Sequence, residues 1–292
     1  LIGADAACIV AASPTLFPWS LMPVSPRLRI LIACAVSAML LCGCIVPAHA
    51  AGSLLDAIRA RGTVRVGTTG DYAPYSFRDL DTGGFKGFDI DVARRLAADM
   101  GVKLELVQAT WPTLMAGLQA GKYDLVASGV TVTPERAEAA QFSTPYLHPR
   151  FVPIVRKRDL GRFKTLADID QPGVRVALQQ GTAAEQAGRR VFKQATLKAV
   201  LEPVIDYTEV LAGHADATFT DNLYFASTIG TQYPELAMIP GDNDATSDIA
   251  LMTVQGDPKL AGWLNDWVAA RDGDHFFDGL FATWFAGAGK RN

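Results

Sequence analysis

The 292-residue chain is 49% hydrophobic and 20% charged, with 27 basic against 30 acidic side chains and a formal net charge of −3. That length accommodates two domains with their own cores, and a mildly acidic chain without long basic runs excludes nucleic acid and a polybasic membrane surface as partners. All four cysteines, Cys8, Cys34, Cys42 and Cys44, precede residue 50, so a chain processed beyond that point carries neither thiol chemistry nor a disulfide.

Residues 1–21 open on Leu1, fit no export pattern and are expected to be upstream sequence read through, with Met22 as the true start. From Met22 the pattern is that of a secretory signal over residues 22–50. Arg27 and Arg29 form a charged leader, Ile30 to Val46 an apolar run, and Ala48-His49-Ala50 a small-x-small cleavage site. Export to the periplasm with cleavage after Ala50 is predicted. Two alternatives stay open: retention by a run at the short limit for a membrane span, and lipid attachment at Leu41-Cys42-Gly43-Cys44, which has the outline of a lipobox. Cleavage removes two basic residues and Asp5, leaving 25 basic against 29 acidic residues and a net charge of −4.

After a short helical lead, Leu54 to Arg61, strand and helix signals alternate. Thr63-Val64-Arg65-Val66-Gly67 is a β-branched run, and Asp89 to Met100 has the period of an amphipathic helix, opened by Asp89 and closed by Gly101. Lys103 to Val107 reads as strand, Pro112 to Gln119 as helix, Asp124 to Ala127 as strand and Pro134 to Ala140 as helix, which completes one lobe near Tyr146. The same grammar then repeats without sequence repetition. It runs through Phe151 to Val155, strand Val174 to Leu178, a helix from Thr182, a strand near Ala199-Val200-Leu201, helix Thr208 to Ala212 and strand Ala215 to Thr220. Asp248 to Met252 is a late apolar strand, followed by helical Pro258 to Ala270 and an aromatic-rich end from Phe276-Phe277 to Trp284-Phe285. Strands separated by helices imply parallel pairing and an α/β layer architecture. The order predicts two α/β lobes, 53–148 with 249–292 and 152–246, joined by crossings near 148–153 and 242–249, with ligand bound in the cleft between them.

One arginine stands out. Thr133 reads as an N-cap and Pro134 as the first helical residue, which puts Arg136 in the first turn, where the helix dipole disfavours a cation. A bound anion removes the conflict, because a guanidinium grips a carboxylate in bidentate fashion and the hydroxyls of Ser128 and Thr131 are close in sequence. A solvated Arg136 paired with Glu135 or Glu138 is the plainer alternative.

From Ser53 onward the chain resembles the family 3 periplasmic solute-binding proteins of the amino-acid-binding type. The resemblance is carried by Val64-Arg65-Val66-Gly67, Tyr72-Ala73-Pro74-Tyr75-Ser76-Phe77, Gly87-Phe88-Asp89-Ile90-Asp91, Ser128-Gly129-Val130-Thr131 and Phe142-Ser143-Thr144-Pro145-Tyr146. It implies a type II Venus-flytrap fold that closes on an amino acid or related small carboxylate and passes it to an ABC permease, with no cofactor and no metal. Carried over by position, Arg136 holds the ligand carboxylate with Ser128, Gly129 and Thr131 beside it, and Tyr72 and Trp111 wall the side-chain pocket. Thr182 adds a contact to the carboxylate, and Asp221 accepts the α-ammonium. Read from the residues alone, Asp221 is equally a strand-end cap, and the two aromatics are equally core.

A narrower resemblance points to an enzyme on the same fold. Thr68-Thr69-Gly70-Asp71-Tyr72, Thr110-Trp111-Pro112-Thr113-Leu114-Met115, Pro134-Glu135-Arg136 and Ile169-Asp170-Gln171-Pro172-Gly173-Val174 look like cyclohexadienyl dehydratases, which act on prephenate or arogenate. That resemblance implies Glu185 as a carboxyl acid that protonates the leaving hydroxyl. Here the enzymes' Asn-Pro-Gly-Gly-Thr-Asn-Glu segment is Gln179-Gln180-Gly181-Thr182-Ala183-Ala184-Glu185, and their Glu-Lys before the late strand is Ser247-Asp248. Thr182 to Glu185 is also a capping box, which gives Glu185 a structural task. His148, His214 and His275 have no metal-ligand spacing, and Gly83-Gly84-Phe85-Lys86-Gly87 is a turn rather than a phosphate loop.

Overall fold

The computed structural model describes residues 52–239, 246–286 and 291. The segments expected to be read-through and signal, with all four cysteines, lie outside the described residues.

The described strands are β1 (Thr63–Thr68), β2 (Asp71–Tyr72), β3 (Ser76–Arg78), β4 (Phe85–Lys86), β5 (Lys103–Gln108), β6 (Leu125–Val126) and β7 (Gln141–Phe142), then β8 (Phe151–Arg156), β9 (Arg175–Gln179), β10 (Thr196–Val200), β11 (Ala217–Asp221), β12 (Leu236–Met238) and β13 (Met252–Thr253). They form two five-stranded sheets, β5-β1-β6-β13-β7 and β10-β9-β11-β8-β12, and a small β2-β3-β4 ribbon. In the first sheet β1 runs parallel to β5 and β6, while β13 is antiparallel to β6 and β7. The second repeats this plan: β9 is parallel to β10 and β11, and β8 is antiparallel to β11 and β12. Helices Phe88–Met100 and Ala183–Val191 make the crossovers that parallel neighbours require. The chain passes between the sheets twice, after β7 and before β13, and bridges Arg150 to Thr246 and Leu147 to Ile249 lay the two passages side by side.

Three differences from expectation bear on the site. The helix expected to run through Ala140 is the single turn Pro134–Ala137, and the late strand is shortened to β13 because Ile249 is spent on isolated bridges to Thr131 and Leu147. The first long helix starts at Phe88 with Gly87 as its N-cap, so Asp89 does not cap it. Instead the fully buried Asp89 carboxylate reaches away, accepting from the Gly129 N–H and, at 2.8 Å, from the Tyr146 hydroxyl. The aromatic tail packs beneath: Tyr146 stacks on Phe277 at 5.1 Å, Phe285 meets Phe88 at 5.5 Å, and the Trp284 indole donates to Asp91 at 2.9 Å.

Gly87 carries a backbone requirement. Its φ is +132°, and an added Cβ would stand 2.4 Å from the Tyr75 carbonyl oxygen. That carbonyl accepts from Asp89 N at 2.9 Å, and the Pro74 carbonyl accepts from Phe88 N at 2.8 Å, so the loop cannot retreat without loss. Gly87→Ala is expected to cost more than about 3 kcal/mol, seen as a fall in the urea midpoint; an unchanged midpoint would remove the requirement.

Candidate functional site

A cavity of about 310 Å³ lies where loops of the two sheets meet. Of the nine residues singled out in the sequence, six line it: Tyr72, Trp111, Gly129, Thr131, Arg136 and Thr182. Ser128, Glu185 and Asp221 are not among its lining residues.

Arg136 is placed by the turn Pro134–Ala137, whose N-cap Thr133 accepts from Arg136 N at 3.2 Å. A single turn has little macrodipole, so the cost of the cation lies elsewhere: the side chain is 8% exposed, and burial pushes its pKa down to about 10 against the opposing pull of Glu135. Its guanidinium donates to two main-chain carbonyls, Thr131 O at 3.1 Å and Gly181 O at 3.3 Å, and lies 6.0 Å from the Trp111 ring centroid. Glu135 pairs instead with Arg190 at 2.7 Å. Among the described residues no carboxylate forms an ion pair with Arg136, which leaves a buried positive charge facing a cavity.

The neighbouring hydroxyls are already engaged. Ser128 is fully buried, with its Oγ bonded to Thr69 N at 3.0 Å and Thr69 Oγ1 at 2.8 Å. Thr131 Oγ1 bonds Ser247 Oγ at 2.8 Å, so its part in holding Arg136 is played by its carbonyl. Gly129 has φ +65° and packs against the Tyr72 ring, where an added Cβ would lie 2.8 Å from it. Thr182 Oγ1 donates to Gln179 O at 2.7 Å and accepts from Glu185 N at 3.1 Å, the first half of the expected capping box; the second half does not form, because the Glu185 carboxylate takes the Gly181 N–H instead of that of Thr182.

Asp221 ends β11 with no exposed surface. Its carboxylate accepts from the Tyr72 hydroxyl, from the Tyr75 hydroxyl at 3.1 Å and from Tyr224 N at 2.8 Å, so it caps the turn that follows and ties β11 to the β2-β3 turn of the small ribbon. Burial, partly offset by these bonds, holds its pKa above the usual carboxylate range. Glu185 Oε2 accepts from Gly181 N at 2.8 Å, and its Oε1 pairs with Arg189 at 2.8 Å. The carboxylate thereby fixes the turn whose carbonyl Arg136 holds. Glu185→Ala is expected to lower stability by about 1–2 kcal/mol, read from the urea midpoint, through loss of this cap.

Sequence reasoning missed three acids that line the cavity: Asp71, Glu202 and Asp206. Asp71 stood inside a quoted motif without a role, and it accepts the Trp111 indole N–H at 3.1 Å on both oxygens. Asp206 opens the helix Asp206–Ala212 two residues earlier than expected, is 7% exposed, and accepts from Thr218 Oγ1 at 2.7 Å and Tyr207 N at 2.8 Å. Its pKa is pushed up to about 6 by burial. The signal for it was available: an Asp beside the capping position of a helix that begins just after a run of exposed apolar residues, Leu201, Val204 and Ile205.

Comparisons with known proteins bear on this site. The family model of bacterial extracellular solute-binding proteins, family 3, matches residues 64–287. Cyclohexadienyl dehydratase of Pseudomonas aeruginosa is 38% identical over 187 residues, covering 64% of this chain and 69% of its own. The L-cystine-binding protein TcyJ of Escherichia coli K12 is 28% identical over 246 residues, covering 84% and 91% respectively. Among solved structures, the ancestral amino acid-binding protein AncCDT-1, a precursor of cyclohexadienyl dehydratase, is 36% identical with a TM-score of 0.73, covering 80% of this chain and all of that one. The two-lobed α/β fold expected from the sequence is the fold of these relatives. The chain belongs to the bacterial extracellular solute-binding proteins, family 3.

Proposed function

We propose that the protein is an exported solute-binding protein that closes on an amino acid or related small carboxylate and delivers it to an ABC-type permease. The observation that carries this reading is the buried Arg136 guanidinium, held by one carbonyl from each side of the cleft and, among the described residues, paired with no carboxylate. A buried cation is costly until an anion joins it, so ligand carboxylate and closure stabilise one another. The lobes of this flytrap are 53–148 with 249–292 and 152–246, and they hinge about the two passages between the sheets. Closure also joins Arg190 to Glu135 at 2.7 Å and Thr228 Oγ1 to Ala73 O at 3.0 Å across the cleft. Residues 22–50 direct the chain to the periplasm, in keeping with a family described as extracellular.

The similarity to cyclohexadienyl dehydratase favours a second reading, turnover of prephenate or arogenate with Glu185 as acid. Two measurements on the exported, purified protein decide between them: thermal stabilisation by a panel of amino acids, and product absorbance on incubation with prephenate and arogenate. Stabilisation without turnover is expected. Turnover that disappears in Glu185→Gln would establish the enzyme instead.

A further inference from the structure

Asp221 does not face the cavity. Its carboxylate has no exposed surface and is not among the lining residues, and both oxygens are taken by the protein's own donors: Oδ1 accepts from the Tyr75 hydroxyl at 3.1 Å and from Tyr224 N at 2.8 Å, and Oδ2 from the Tyr72 hydroxyl. Asp221 belongs to the 152–246 lobe, whereas Tyr72 on β2 and Tyr75 in the turn after it belong to the lobe that begins at residue 53. These three side chains join the lobes from inside, and no ligand atom is needed to complete the contact.

Each half of the contact is fixed by its own lobe. The two tyrosine rings stack at 4.8 Å, Tyr75 is backed by Phe285 at 5.1 Å, and an added Cβ on Gly129 would stand 2.8 Å from the Tyr72 ring and 2.9 Å from Tyr75 Cγ. On the facing side Asp221 is held by the Tyr224 N–H of the turn that it caps. Groups that are already ordered lose little conformational entropy when they meet. The other contacts between the lobes count for less. Arg190 and Glu135, at 2.7 Å, are each about half exposed and screened by solvent, and Thr228 Oγ1 with Ala73 O is a neutral pair. Hydroxyls that donate to a buried carboxylate make a stronger bond than either.

We infer that Tyr72, Tyr75 and Asp221 form a latch that shuts the cleft by itself, so that the free protein rests closed and a solute enters through a minority open form. Asp221 then governs how often the site opens, not which group the ligand carries. The latch lowers the apparent affinity for every solute alike, by the fraction of protein that is open. The inference rests on the solute-binding reading, because it requires lobes that move about the two passages between the sheets.

The chain beyond residue 50 has no cysteine, so nitroxide labels at Glu138→Cys and Lys193→Cys report the width of the cleft by electron paramagnetic resonance. Both positions are exposed, one on each lobe, and they flank the Glu135–Arg190 pair. Without added solute the labelled protein is expected to give mainly the short, closed distance. Tyr75→Phe removes one latch bond at a residue that does not line the cavity, and it should lower the closed-to-open ratio about tenfold or more. Tyr72→Phe combined with Tyr75→Phe removes both hydroxyls and should make the longer, open distance the major one. Circular dichroism melts report whether the variants are folded. Asp221→Asn, which keeps an acceptor for Tyr224 N but loses the charge, should open in the same sense and decides the matter if the double variant does not fold. A labelled parent that is mainly open without solute, or a folded latch variant that keeps the parent's distance, would overturn the latch. Thermal stabilisation of the unlabelled protein by the amino-acid panel reads the solute-binding proposal separately: stabilisation leaves that reading standing whatever becomes of the latch, and its absence with every member counts against the reading itself.

Discussion

Arg136→Met is expected to raise the ligand Kd by about 1000-fold while leaving the thermal midpoint of the ligand-free protein unchanged or higher. Truncating one partner of a buried charge pair costs about 2–5 kcal/mol, and 4 kcal/mol corresponds to roughly three decades in Kd. The second half of the expectation follows from the same burial. In this structure the guanidinium is 8% exposed and donates to two carbonyls, and among the described residues no carboxylate forms an ion pair with it. Methionine keeps an unbranched stem against Trp111 and removes the charge, a replacement that is often neutral or stabilising for buried ions. Arg136→Lys keeps the charge but not the fork that spans Thr131 O and Gly181 O, and an intermediate loss of about 100-fold is expected. Calorimetry on the ligand and scanning calorimetry on the free protein check the two halves separately. A midpoint that falls in proportion to the lost affinity would make Arg136 a structural residue and remove it from the binding site.

The sequence disclosed what repeats with a period or a motif. Strand and helix alternation gave both sheets, because β-branched runs such as Thr63-Val64-Arg65-Val66 and the caps at Gly101 and Thr133 are local properties of the chain. Local reasoning also placed Arg136 and Trp111 in one site through their family motifs. It failed where a side chain answers to a distant partner. Asp89 has the sequence position of a helix cap, yet its carboxylate serves Gly129 and Tyr146, 40 and 57 residues away. Asp221 carries the family position for an ammonium contact, but here it is enclosed by the hydroxyls of Tyr72 on β2 and Tyr75 in the turn that follows it. Glu202 and Asp206 belong to no motif, and only the fold shows that they and Asp71 share one cavity. The helix-dipole argument for Arg136 reached a binding role by way of a helix that is only one turn long; burial supplies the energetic conflict that the dipole does not.

Asp89 carries the second large effect, and its sign is set by burial. Its carboxylate accepts from Gly129 N and from the Tyr146 hydroxyl, both of which favour the charged form, yet full burial outweighs them and pushes its pKa up to about 6. A folded pKa above the unfolded value of 3.8 means that Asp89 contributes stability that is complete below about pH 4 and is lost as pH rises through about 6. A difference of about two units corresponds to roughly 3 kcal/mol, with no discount for solvent because the group is fully enclosed. Raw stability against pH mixes this with Asp206, which behaves alike, and with Asp216 and Asp257, whose depressed values act in the opposite sense. The difference between wild type and Asp89→Asn cancels those contributions, since asparagine keeps an acceptor and the shape but does not titrate. Relative to wild type, Asp89→Asn is therefore expected to gain about 3 kcal/mol between pH 4 and pH 7.5 in ligand-free urea melts. Asp89→Ala, which strands a buried backbone donor and a buried hydroxyl, is expected to lose about 3–5 kcal/mol at either pH. A difference between wild type and Asp89→Asn that stays flat across that range would mean that Asp89 titrates as it does in the unfolded chain. The same carboxylate fixes Gly129 and hence the loop that hands the Thr131 carbonyl to Arg136. A loosened loop in Asp89→Ala should weaken ligand binding as well as folding, whereas Asp89→Asn should spare it.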